Sequence, residues 1–258
     1  MAVGQTFSHV AAYYGSVAAS AQAYSLPAIN DQILTIVNGH FVIPDIANLG
    51  ALFVLGTDIN KARVNTPSLR YVGLPYAQKT NLAMPYANPP VINDYLGDGI
   101  ILPKIDEIAL EVYNSDGTNA HNALVGMWLN LGTQPMAAGP QYALHGTATI
   151  TGVTGAWASG TLSLDQTLPS GRYQVTQLDV VAANGALARL IFPGASYRPG
   201  TIVRQAFSDL TPWLFEDGAF GVLGAFDSIN LPNLEIFCTG TCTAQDVFLT
   251  VVRIGNSQ

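Results

Sequence analysis

Tyr173-Gln174-Val175-Thr176-Gln177-Leu178-Asp179-Val180-Val181-Ala182-Ala183-Asn184-Gly185-Ala186-Leu187-Ala188-Arg189-Leu190-Ile191-Phe192 is the stretch that decides the fold. Two apolar runs, 173–183 and 186–192, flank Asn184-Gly185. Asn-Gly readily occupies the two positive-φ positions of a type I′ turn, so the stretch predicts a β-hairpin. Outward from it the same period-2 signal recurs. Leu162 and Leu164 alternate with Thr161, Ser163 and Asp165. Ile108, Leu110 and Val112 alternate with Ala109, Glu111 and Tyr113. Such alternation marks strands with one buried face. Asp116-Gly117 supplies a second, longer turn between 105–113 and 123–131.

From residue 144 onward the pattern predicts eight strands, near 146–153, 156–165, 172–183, 186–192, 201–207, 219–226, 233–239 and 245–254. Short strands at even spacing indicate a sandwich or barrel. Strands near 32–38, 40–46, 51–56, 60–65, 106–113 and 122–131 fill the first half. Val247-Phe248-Leu249-Thr250-Val251-Val252 is apolar on both faces and predicts a strand covered on both sides. Helical signal is thin. Val10, Tyr13, Tyr14 and Val17 sit at helical spacing within 8–24, and Ser208-Asp209 is placed to cap a short turn over 210–215. Residues 75–103 hold Pro75, Pro85, Pro89, Pro90 and Pro103. Proline lacks the amide hydrogen of a sheet ladder, so this stretch reads as a long loop or extended arm and not as core strand.

The composition narrows the function. Only 10 Lys+Arg and 17 Asp+Glu occur in 258 residues. An average domain of this length carries on the order of 65 charged residues. No apolar run reaches the roughly 18 residues of a membrane-spanning helix. A net charge of -7 with no basic cluster argues against grip on nucleic-acid phosphates. The first residues lack the basic region of a secretory leader. Charged residues are depleted in the buried cores of protein–protein interfaces. A folded chain so poor in charge therefore reads either as a subunit covered by neighbours or as an extracellular β-domain with a Ser/Thr/Asn surface.

A weak internal repeat runs through the chain. Ala62-Arg63-Val64-Asn65-Thr66-Pro67 aligns with Ala188-Arg189-Leu190-Ile191-Phe192-Pro193, an offset of 126, and Arg70 and Arg198 follow. Leu102-Pro103-Lys104-Ile105-Asp106-Glu107-Ile108 aligns with Leu231-Pro232-Asn233-Leu234-Glu235-Ile236 at an offset near 128. Each half then ends on an apolar strand closed by Gly132 or Gly255. The shared order predicts two similar β-domains, 26–135 and 144–258, after an arm over 1–25. The loop from Gly132 to Pro140 has linker composition.

Two tandem domains of short strands with long loops and an Ala-rich N-terminal arm resemble the double jelly-roll major capsid proteins of tailless icosahedral viruses, many with an inner membrane. That family has no diagnostic motif, so the resemblance lies in pattern over nearly the whole chain. It implies an all-β chain of two tandem eight-stranded jelly-roll sandwiches. It implies a homotrimer in a virion shell, assembled in the host cytoplasm. The implied partners are copies of itself and minor capsid or vertex proteins. A membrane would lie beneath the N-terminal arm, with no sequence-specific nucleic-acid contact.

Enzyme constellations are absent from the sequence pattern. His9, His40, His121 and His145 form no H-x-H or H-x-x-x-H pair, and there is no nucleophile elbow or phosphate loop. No catalytic, cofactor-binding or metal-ligating residue is assigned. Cys238 and Cys242 read as free thiols, as a local disulfide or as a functional site, and geometry decides whether the two can bridge. Asp94, Asp98 and Gly99 lack the alternation of a calcium loop. Asn114, Asp116 and Asn119 could supply oxygens to a cation, but read first as a polar hairpin turn. The adjacent pairs Asp106-Glu107 and Glu216-Asp217 point to opposite faces of a strand. Trp128 lies in an apolar strand and reads as core. Trp157 and Trp213, near turns, support an alternative reading as a carbohydrate-binding or adhesin-like module. Arg63, Arg70, Arg189 and Arg198 read either as bidentate links between subunits or as strand-end contacts.

Overall fold

In the computed structural model, which describes residues 8–43, 47–67, 80–81, 90–95, 100–102, 106–130, 137–211 and 221–256, every regular element is a β-strand. The chain divides into two compact units. One, here the N-terminal unit, is Ala11–Leu131; the other, the C-terminal unit, is Gly132–Gln258 together with Met1–Val10.

The strands of the first half are β1 (Ser8–Val17), β2 (Tyr24–Leu26), β3 (Ile36–Val37), β4 (His40–Val42), β5 (Ala47–Leu55), β6 (Ile59–Asn65), β7 (Asn93–Asp94), β8 (Ile100–Leu102), β9 (Glu107–Asn114) and β10 (His121–Asn130). They form one sheet in the order β1-β10-β5-β7, with β8 also on β5. The other sheet runs β2-β9-β4-β3, with β6 also on β9. Leu49, Leu52, Val54 and Val125 from the first sheet share one buried core with Leu26, Val64, Ile108 and Leu110 from the second. Phe53 and Trp128 are also fully buried, outside that cluster. Both faces of the central strands β5 and β10 are therefore covered, which is why Ala51-Leu52-Phe53-Val54-Leu55 reads as an unbroken apolar run.

The second half contributes β11 (Gln141–Ala148), β12 (Trp157–Thr161), β13 (Ser163–Leu164), β14 (Arg172–Val181), β15 (Gly185–Ile191), β16 (Gly200–Ile202), β17 (Gly224–Asp227), β18 (Asn233–Cys238) and β19 (Gln245–Gly255). Its sheets are β13-β11-β19-β14-β17 and β12-β18-β15-β16. Setting aside the two-residue edge strand β13, the first sheet takes strands one, eight, three and six of the unit, and the other takes two, seven, four and five. That order is the jelly roll. The N-terminal unit repeats it. Its first sheet takes positions one, eight, three and six as β1-β10-β5-β7, and its second takes two, seven and four as β2-β9-β6. Among the described residues no strand takes position five. The hairpin β3–β4 is an addition that extends along the β2 edge of β9.

Several expectations need correction. Asn184-Gly185 does not close a hairpin, because β14 and β15 belong to different sheets. The turn is Ala182–Gly185, closed by the Gly185 N–H to the Ala182 carbonyl at 3.1 Å, and only Asn184 of the pair has positive φ, 61°. It passes the chain from one sheet to the other. Gly185 is needed because a Cβ there would stand 2.6 Å from Val203 Cγ1. Asp116-Gly117 likewise joins strands of different sheets, β9 and β10.

The helical spacing over 8–24 is also misleading, since Ser8–Val17 is strand β1. Val10, Ala11, Ala12 and Tyr13 are all fully buried. With consecutive residues buried on both faces, period-2 alternation disappears and a chance 3–4 spacing remains. The Tyr13 hydroxyl donates to the Ile108 carbonyl at 2.9 Å, and its ring meets Phe41 edge-on at 5.0 Å. Burial pushes the Tyr13 pKa far above its ordinary value. Within 75–103, the described residues include two short strands, β7 and β8, that pair with β5. They lie between the prolines, where amide hydrogens are available. Of the 210–215 turn, only 210 and 211 are described, and neither is helical.

Candidate functional site

The repeat acquires a physical meaning at two arginine–glutamate pairs. Arg63 on β6 stands opposite Glu111 on β9, and Arg189 on β15 stands opposite Glu235 on β18. These are the same two strand positions in the two jelly rolls. Arg63 Nε donates to Glu111 Oε2, and Arg189 Nε donates to Glu235 Oε2 at 2.5 Å. The preceding corner is shared as well. Gly56–Ile59, with the Ile59 N–H to the Gly56 carbonyl at 3.2 Å and Asp58 at φ 55°, matches Ala182–Gly185. The offset of 126 read from the sequence holds from this corner through the arginine. It then slips: the sequence match aligned Glu107 with Glu235, whereas the structural equivalent is Glu111.

The environments of the two pairs differ. In the C-terminal unit the pair is sealed, with side-chain exposure of 0% for Arg189 and 7% for Glu235. Arg198 adds a second cation, its Nη1 lying 2.9 and 2.7 Å from the two Glu235 oxygens. Trp157 stacks on the guanidinium, with Arg189 Cζ 3.9 Å from a ring centroid. The extended segment Ser8–Val10 closes the site. Arg189 Nη1 donates to the Val10 carbonyl at 2.7 Å, the Val10 N–H donates to the Arg198 carbonyl at 3.0 Å, and the Arg198 N–H donates to His9 Nδ1 at 3.1 Å. A carboxylate shared by two guanidiniums satisfies charge that burial otherwise makes costly.

In the N-terminal unit Arg63 keeps 30% of its side chain exposed and Glu111 13%. Asn65 Nδ2 donates to Glu111 Oε1 at 3.1 Å in the place where the other unit uses Arg198. Beside the pair opens a polar groove of about 280 Å³ lined by His40, Asn65, Thr66, Pro67, Glu107 and Ala109. Ser25 Oγ lies 2.9 Å from His40 Nε2, but His40 Nδ1 and Glu107 Oε2 are 3.7 Å apart. That gap exceeds hydrogen-bond reach, so the relay that orients an imidazole for nucleophilic catalysis is not formed.

The segment between β9 and β10 is a polar turn, though it passes the chain between sheets and is not the hairpin turn the sequence suggested. Asn114 Nδ2 donates to the Val17, Ala18 and Asn119 carbonyls, and Asp116 accepts from the Thr118 and Asn119 amides. His121 Nε2 stands 2.8 Å from Asp116 Oδ2 and 3.4 Å from Asp58 Oδ2. Hydrogen bonds from Asn119 and then His121, with the backbone amides, hold the Asp116 carboxyl well below the usual range. Its oxygens are occupied by donors of the turn itself.

Elsewhere, Cys238 and Cys242 form a local disulfide at the end of β18, so they are not free thiols. Gly152 packs against both sulfurs and exchanges backbone hydrogen bonds with Cys242. His145 on β11 bridges Asp165 and Asp246, and Asp165 first and Asp246 second raise its pKa. Asp179 on β14 holds Arg204, with Nε to Oδ1 at 2.9 Å. These two ion clusters had no sequence signal, because their members are far apart in the chain. Phe248 and Thr250 on β19 are half-buried, so the outer face of that strand is only partly covered. Asp94 lies on β7, while Asp98 and Gly99 lie outside the described residues, as do Arg70, Trp213, Glu216 and Asp217. Trp128 is buried as expected of a core residue.

No protein-family profile matches the chain, and no curated protein matches it in sequence. Among solved structures, the chain is similar to the major capsid protein P2 from bacteriophage PM2, with 11% identity over 95% of this chain and 98% of that one, at a TM-score of 0.26. The two chains correspond in extent, and the jelly-roll assignment stands on the strand order described above.

Proposed function

We propose that the chain is the major structural subunit of an icosahedral virus shell, assembling chiefly with copies of itself and catalysing no reaction. The observation that supports this best is the duplication. One chain folds into two jelly rolls that keep the same corner and the same arginine–glutamate pair, giving each subunit two related building blocks. The 27 charged residues among 258 support it further, because a charge-poor exterior suits burial against neighbours. Ile101, Phe207, Leu210 and Ile229 stand exposed, consistent with surfaces that await contact. A homotrimer is the expected first assembly, followed by a shell lattice with minor or vertex proteins and a membrane or second layer beneath. The glycan-binding alternative loses its aromatic platform at Trp157, whose ring face is occupied by Arg189.

Electron microscopy and analytical ultracentrifugation of the purified chain test the reading. Discrete oligomers that grow into closed particles are expected. A monomer at every concentration refutes it.

A further inference from the structure

Sheet edges are places where one β-protein adds to another, and the two jelly rolls treat theirs differently. A strand at an edge presents unpaired amides and carbonyls, and folded proteins blunt such edges with charge, proline, bulges or short length. In the C-terminal unit β13 has two residues, β16 has three, and β17 has four and ends on Asp227. β12 is longer and has none of these devices. Trp157-Ala158-Ser159-Gly160-Thr161 carries no charge and no proline, and its five residues pair with β18 without a bulge. It ends the sheet β12-β18-β15-β16, and among the described residues no backbone group hydrogen-bonds to its other edge. Ser159 and Thr161 are exposed. In the N-terminal unit the chain extends the corresponding side itself: β2 and β4 both pair with β9 there, and β3 lies outside β4.

We propose that β12 pairs antiparallel with β12 of a second copy, about a two-fold axis through Ser159, so that two four-stranded sheets become one of eight strands. The inference rests on the self-assembly reading and names one of its contacts. The occupant is another copy because the strand complements its own image. With the axis at Ser159 all five residues find partners: Ser159 faces Ser159, Ala158 faces Gly160, and Trp157 faces Thr161. No pair opposes like charges, and the bulky tryptophan meets a small β-branched residue. The ladder with β18 puts Trp157, Ser159 and Thr161 on the sheet face of Glu235, and Ala158 and Gly160 on the core face, where Gly160 lies against buried Ile150. A slip of one residue would join a core face to an outer face, and a slip of two would lose pairs. The register is therefore specified by the strand itself. A two-fold axis has no place inside a trimer, so the contact joins neighbouring trimers of the proposed shell.

Ser159→Cys tests it directly. Chains of this variant should cross-link in pairs under mild oxidation, because facing residues of an antiparallel pair hold their Cβ atoms about 4.5–5.5 Å apart. Thr161→Cys should not cross-link to itself, because the same register puts its two copies roughly 14 Å apart. Ser159→Lys sets two like charges face to face and should raise the concentration for half-assembly, followed by light scattering, at least about tenfold. Thermal melting of each variant separates lost pairing from lost folding. If the native chain assembles but Ser159→Cys gives no cross-linked pair, the edge is the wrong surface while the shell reading stands. The same holds if Ser159→Lys folds and assembles as the native chain does. Cross-linking of Thr161→Cys as readily as Ser159→Cys signals collision without register and also overturns the proposal. If the native chain stays monomeric and Ser159→Cys does not cross-link, both readings fall.

Discussion

Glu235 and Glu111 occupy one position of a repeated fold and differ mainly in burial, which makes them a natural pair for measurement. Glu235→Gln leaves Arg189 and Arg198 buried without their shared carboxylate, a change that costs about 3–5 kcal/mol in a sealed site. Glu111→Gln disturbs a half-exposed pair and should cost about 1 kcal/mol or less. Urea denaturation of the two variants checks the contrast, and equal losses would contradict the assigned environments. Titration at Asp116 has a definite sign. Its carboxyl is held below the usual range, so its contribution to stability is present above about pH 3.9 and is lost as pH falls through the folded value. Asp116→Asn should flatten that acid limb of the melting curve. His145 acts oppositely. Its raised pKa gives stability below about pH 6.5 that disappears as pH rises through the folded value, and His145→Gln should remove this slope. The sequence exposed the arginines of both pairs through one constant offset, but not their partners. A four-residue match around Leu-Pro outweighed the single glutamate that faces Arg63 across the ladder.

Elements were legible where one face meets core and the other meets water. β9 shows the strict alternation of buried and half-buried residues that its sequence announces. β1 was illegible because both of its faces are covered, and a run of Ala and Tyr then carries no period. That difference changes what truncation should do. Removing 1–17 takes away a sheet strand and uncovers Leu26, Phe41 and Ile108 in the same core, so the expected outcome is loss of cooperative unfolding. A truncated chain that still melts sharply would show that β1 is peripheral. At the corners the sequence signalled a turn but not its destination, since Asn-Gly serves a sheet-to-sheet passage as well as a hairpin. At the matching corner, a Cβ on Gly56 would lie 2.7 Å from the Asn122 carbonyl oxygen, which is backbone and cannot swing aside. Gly56→Ala should therefore lower stability by about 1–3 kcal/mol, read as a fall in denaturation midpoint.

For the whole molecule, the scarcity of charge is the property with the widest reach. Raising salt from about 0.1 to 1 M shortens the screening length from roughly 10 to 3 Å, yet only 27 charged residues in 258 are there to be screened. Assembly should change little over that range when followed by light scattering. A collapse of assembly at high salt would show that charge pairing holds the subunits together. The all-β class and the two-fold plan were readable from period and repeat. The ion clusters at His145 and Arg204 were not, because chains bring distant residues together by topology, which no local pattern records. The seating of Ser8–Val10 on Arg189 and Arg198 joins positions 179 and 189 residues apart. During synthesis Ser8–Val10 must therefore wait, unseated, until Arg189, Arg198 and Glu235 have left the ribosome. Products stalled before Glu235 are thus kept from closing this site, and the sealing of one buried carboxylate reports that both ends of a long stretch of chain are in place.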